Sequence, residues 1–77
     1  MPHLAVLGER TRVAGFALAG ALVVVADEDA DVRQAWAALL EDRDADVEVL
    51  VLTQRAAAAL PPGFADRDRP LTVVMDP

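Results

Sequence analysis

Leu4-Ala5-Val6-Leu7-Gly8-Glu9-Arg10-Thr11-Arg12-Val13-Ala14-Gly15-Phe16-Ala17-Leu18-Ala19-Gly20 is the stretch that decides the fold. Leu4 to Leu7 is a short unbroken apolar run, the pattern of a strand buried on both faces. Gly8 ends it. Thr11 is the expected N-cap of the next helix, with Glu9 near the positive end of its dipole. Val13, Phe16 and Ala17 share one helical face by i, i+3, i+4 spacing. Gly15 sits inside that helix, where it costs about 1 kcal/mol relative to Ala. Close packing of helix on sheet is the expected return, and Gly20 is the expected C-cap.

The same alternation continues outward. Ala21 to Ala26 is a second apolar strand, and Asp27, Glu28, Asp29 and Asp31 cluster at a helix start, with Asp29 as its expected N-cap. Val32, Ala35, Trp36, Leu39 and Leu40 then follow i, i+3, i+4, i+7, i+8, an amphipathic helix with Trp36 in the core. Arg43-Asp44-Ala45-Asp46 forms a polar turn. Val47 to Leu52 is the third strand, and Thr53 caps a short helix from Gln54 to Leu60 that Pro61-Pro62-Gly63 terminates. Phe64 to Arg69 is a charged loop with one apolar anchor, and Leu71 to Met75 is the fourth strand.

This β-α-β-α-β-α-β order predicts a three-layer α/β fold with a four-stranded parallel sheet and right-handed crossovers. The expected strand order is 2-1-3-4, a shortened flavodoxin-like pattern with the first and third strands central. Residues 1–77 read as a single domain. A chain this small buries only roughly 60–65% of its unfolded surface, so a partner would add stability.

Composition narrows function. The net charge is −6, the basic residues are all arginine, and there is no Lys, Cys, Ser or Tyr. An acidic chain with scattered arginines argues against nucleic acid and against anionic membrane surfaces. Without Cys there are no disulfides, thiolate metal sites or cysteine nucleophiles. The apolar run near Phe16 to Ala26 is broken by Gly20 and falls short of the ~20 residues a bilayer needs. No signal peptide is expected, and the expected location is the cytoplasm.

Ligands of such sheets sit at the carboxyl ends of the strands, here Gly8-Glu9, Asp27-Glu28, Thr53-Gln54 and Asp76. Gly8, Gly15 and Gly20 match neither G-x-G-x-x-G nor a P-loop, so a nucleotide is not expected and the glycines are read as turning and packing residues. Glu9, Asp27, Glu28 and Asp76 suggest the carboxylate cluster of a response-regulator receiver. That site also needs an aspartate where Thr53 stands, and a lysine. Asp27-Glu28-Asp29-Ala30-Asp31 looks like a calcium loop, but Val32 stands where a Gly is required and Ala38 where a bidentate Glu is required. His3 has no Ser or Cys with which to build a triad. No catalytic, cofactor or metal residues are therefore assigned. Arg10, Arg12 and Arg55 start two helices at the same sheet edge. They are candidates for contact with an acidic partner, the alternative being a solvated face.

The elements Val6-Leu7-Gly8-Glu9, Val13-Ala14-Gly15-Phe16 and Leu18-Ala19-Gly20, followed by Val49-Leu50-Val51-Leu52-Thr53 and Pro70-Leu71-Thr72-Val73-Val74-Met75, resemble the F subunits of archaeal- and vacuolar-type (V/A-type) rotary ATPases. Gly8, Gly15, Phe16, Leu18 and Gly20 carry the most specific part. The resemblance implies a non-catalytic central-stalk component that docks on the coiled-coil rotor shaft. It also implies contact with other subunits of the ATPase and help in coupling ATP turnover to proton transport, at the membrane periphery. The family usually continues into a C-terminal helix beyond the fourth strand. Its absence here implies stalk binding without regulation through that helix. The alternative is a stand-alone binding or signalling domain. It would be a homodimer in isolation, because Leu22-Val23-Val24-Val25 and Leu71-Thr72-Val73-Val74-Met75 are apolar edges without obvious protection. A third reading is a fragment of an enzyme.

Overall fold

A computed structural model describes residues 3–41, 47–64, 66 and 71–75. Strand β1 (Leu4–Gly8) is followed by helix α1 (Arg10–Val13), a 3-10 helix (Ala14–Ala19) and β2 (Leu22–Val25). Helix α2 (Asp29–Glu41), β3 (Val49–Leu52), α3 (Gln54–Ala58) and β4 (Leu71–Val74) complete the order. The four strands form one sheet in the order β2-β1-β3-β4. Every pairing is parallel, with Val6 aligned to Val23 on one side and to Val51 on the other, and Val51 aligned in turn to Val73. The expected alternating fold and strand order are both found.

Side chains alternate across a strand, so the register assigns each residue to a face. Ala5, Leu7, Leu50 and Leu52 share one face. They form the main core with Val32 and Trp36 of α2, and with Ala56 and Leu60 from α3 and the residues after it. Phe64, the apolar anchor of the loop, packs against this core and meets Trp36 edge to face, with ring centroids 5.8 Å apart. Such an aromatic pair contributes about 0.5–1.5 kcal/mol beyond simple burial. Val6 points to the opposite face. It and Val13 of α1 are fully buried but lie outside that core. On this second face the β4 residues Leu71 and Val73 remain 59% and 44% exposed.

Several local expectations change. Helix α1 begins at Arg10, with Glu9 rather than Thr11 at its N-cap. The cause is the backbone of Glu9, whose carbonyl accepts from the N–H groups of Arg12 and Val13 and starts the turn early. The α geometry lasts four residues and then tightens into a six-residue 3-10 helix. That is longer than usual for this conformation, and Gly15 within it is a residue poorly suited to holding α geometry. The predicted apolar stripe is correspondingly disrupted. Val13 is buried and Phe16 half-buried, while Ala17 is exposed. The second helix begins at Asp29, and Val32 N–H donates to the Glu28 carbonyl. Asp29 thus lies in the first turn, beside Asp31, rather than at the cap. Helix α3 ends at Ala58, two residues before the expected Leu60. Gly20 closes the 3-10 helix as expected, with φ of 81° and its N–H bonded to the Ala17 carbonyl. The polar turn Arg43–Asp46 and the terminal Asp76 lie outside the described residues.

Candidate functional site: the carboxyl edge of the sheet

The order β2-β1-β3-β4 makes β1 and β3 neighbours and places the topological switch point between their carboxyl ends. Leu7 aligns with Leu52, so Gly8 and Thr53 come next to each other as the two strands end. Thr53 is 2% exposed. A Cβ on Gly8 would lie 2.9 Å from the Thr53 Cβ and closer still to its Cγ2 and Oγ1. Gly8 is therefore required by space, and any larger residue would displace the threonine.

Thr53 uses its hydroxyl twice. Oγ1 accepts from the Ala56 N–H at 3.2 Å, which is the expected cap of α3, and donates to Oε1 of Glu9. This second bond ties the turn after β1 to the turn after β3. Glu9 is held below the ordinary glutamate range. The Thr53 hydrogen bond is the largest cause, a bond from its own backbone N–H follows, and the guanidinium groups of Arg55 and Arg12 add to the effect against partial burial. Arg12 and Arg55 are both exposed. Arg10 contributes its backbone instead, its N–H donating to Asp27 Oδ1 at 3.0 Å.

Glu9 and Asp27 are engaged by different partners, the Thr53 hydroxyl and the Arg10 backbone N–H. Among the described residues, no group of three or more His, Asp or Glu is placed to hold a metal ion. His3 is exposed and stands with Nδ1 4.0 Å from Oε1 of Glu48, at the opposite end of the sheet. Glu9 and Thr53 are each visible in the sequence at strand ends, but their pairing is not. The signal for it lies in the predicted strand order, which already makes β1 and β3 neighbours.

The remaining motif residues divide. Gly15 makes no close approach, since a Cβ there would meet nothing within 4 Å. The close packing expected of it is absent, because the 3-10 helix holds this residue toward solvent. Phe16 is half-buried, and Leu18 is 96% exposed.

Fold and edge together define a small doubly wound parallel domain in which the ends of β1 and β3 are tied by the Glu9–Thr53 hydrogen bond. Residues 4–75 match the family model described as ATP synthase (F/14-kDa) subunit, and the chain belongs to that family. Among solved structures it is similar to the F subunit of the V-type ATP synthase from Archaeoglobus fulgidus. The TM-score is 0.80 at 28% sequence identity, over 97% of this chain and 98% of that one. No curated protein matches the sequence.

Proposed function

We propose that this chain is a non-catalytic central-stalk component of a V/A-type rotary ATPase, a single domain over residues 1–77 that docks on the coiled-coil rotor shaft. In that position it helps couple ATP hydrolysis or synthesis to proton transport from the cytoplasmic side. The family match over residues 4–75 is the observation that carries this reading. No helix among the described residues is long and apolar enough to cross a membrane, which agrees with a peripheral position.

Leu18 supports docking at residue level. A leucine 96% exposed within the specific Gly15–Gly20 element gives almost nothing to the fold. Its burial is available to a partner, at about 1.5–3 kcal/mol if complete. Arg10, Arg12 and Arg55 at the sheet edge are proposed to meet acidic side chains of the same partner. The test is affinity capture of the tagged chain from its native cell lysate, read by mass spectrometry. Recovery of the stalk and catalytic-head subunits supports the role. Recovery of the chain alone, or of a homodimer through the exposed edges at Leu22, Val25, Leu71, Val73 and Val74, supports a stand-alone domain.

A further inference from the structure

We propose that two copies of the free chain pair through the half-covered face of the sheet, each laying its helical segment 10–19, with the exposed Leu18, on the bare β3–β4 half of the other. Right-handed crossovers that run in opposite directions along a sheet lie on opposite faces. The step from β1 to β2 runs one way, and the steps from β2 to β3 and from β3 to β4 run the other way. Helices α2 and α3 accordingly cover the face of Ala5, Leu7, Leu50 and Leu52. Segment 10–19 is alone among the described helical elements on the second face, and it packs on β1 and β2. Parallel sheets are ordinarily buried on both faces. Beyond that segment the register gathers Val49, Val51, Leu71 and Val73 on the second face. The two β3 valines are half-buried, and Leu71 and Val73 are largely exposed.

The second face is thus a step, one half raised by a helical layer and the other half bare. The bare half is two strands wide, about 10 Å, and a helix is about 10 Å across. A two-fold axis parallel to the strands and running along the step sets the raised half of each copy over the bare half of the other. The two helical segments then share one layer between two sheets. This arrangement gives apolar contact to both unpartnered features of the face, Leu18 on the raised half and Leu71 with Val73 on the bare half. Pairing of β4 edges instead would leave Leu18 in solvent. Strands of four residues keep the contact below the ~800 Å² per partner of a standard interface, and the net charge of −6 opposes pairing. The dimer is therefore weak, with a Kd on the order of 10–100 µM in about 0.5 M sodium chloride, which screens the charge. A rotor shaft that takes up Leu18 would displace the second copy, so pairing of the free chain does not depend on the stalk reading.

The test uses the purified full chain. Sedimentation equilibrium in about 0.5 M sodium chloride should show monomer converting to dimer across that concentration range. Leu18→Asp and Val73→Asp should each weaken the dimer at least tenfold, with circular dichroism unchanged for Leu18→Asp, whose side chain has almost no folding contact to lose. The sequence contains no cysteine, so Leu18→Cys and Val73→Cys chains can be mixed and joined with a short bismaleimide. The mixed product, position 18 of one chain to position 73 of the other, should exceed either like-with-like product. A monomer up to about 1 mM, a dimer indifferent to Leu18→Asp, or cross-linking mainly between two Val73→Cys chains, as β4 edge pairing requires, overturns the proposal.

Discussion

The two ends of the Leu4–Gly20 stretch carry the same residue type in opposite circumstances. Gly8 has no room for a methyl group, whereas Gly15 faces open space. Around Gly8 the chain is buried and locked to a distant segment, Glu9 reaching Thr53 across 44 residues of sequence. Around Gly15 it forms a 3-10 helix that leaves Ala17 and Leu18 in solvent. A shared sequence element thus contains one end that builds the domain and one end that the domain does not use. In a component of a larger assembly, the unused end is the natural place for a partner.

Substitutions can break this contrast. The largest effect belongs to Gly8→Ala, which forces a methyl group into the Thr53 side chain and should cost about 3 kcal/mol by urea denaturation. An effect below 0.5 kcal/mol, as a rough threshold for an unperturbed site, would show that the turn relaxes freely. Thr53→Ala removes the cap of α3 and the tie to Glu9 together, and should cost about 1–2 kcal/mol. Gly15→Ala should change sign and stabilise by about 0.5–1 kcal/mol, since its φ is not positive and nothing obstructs the new methyl. A destabilisation there would mean that the 3-10 segment is held by contacts on the Gly15 side. The smallest effect is expected for Leu18→Asp, within about 0.5 kcal/mol, because the side chain has so little to lose.

A pH titration sharpens the same comparison. Glu9 has a depressed folded-state pKa, so its contribution is complete above the unfolded glutamate pKa and is lost as pH falls through the lower, folded value. Wild-type stability should therefore decline with acidification across that window. Glu9→Gln should show a shallower decline there, measured by denaturation at stepped pH. Identical slopes would mean that the ionised Glu9 carboxylate adds nothing to stability through its bond to Thr53.

Sequence makes much of the fold legible because local signals agree with one another. The apolar runs at Ala5–Leu7 and Leu50–Leu52, the stripe through Val32 and Trp36, the Thr53 cap and the Gly20 stop each rest on short-range chemistry that tertiary packing does not override. The start of α1 falls earlier than residue types suggest because the Glu9 carbonyl nucleates the turn, and a backbone acceptor leaves no mark on residue type. Gly15 departs from its expected packing because helical periodicity does not extend into a segment that is wound more tightly. The Glu9–Thr53 tie joins residues from two separate crossovers, so it becomes visible only once strand order and register are combined.

If, as proposed, the domain docks on a rotor shaft, Leu18 at the exposed end of the motif is the side chain placed to meet it. Calorimetric titration of the coiled-coil shaft protein from the same organism into wild type and Leu18→Asp tests it most directly. Saturable binding to wild type and at least tenfold weaker binding to Leu18→Asp are expected, a loss of about 1.4 kcal/mol or more, with folding stability unchanged. Absence of binding to the wild-type chain, or equal affinity for both, would contradict it.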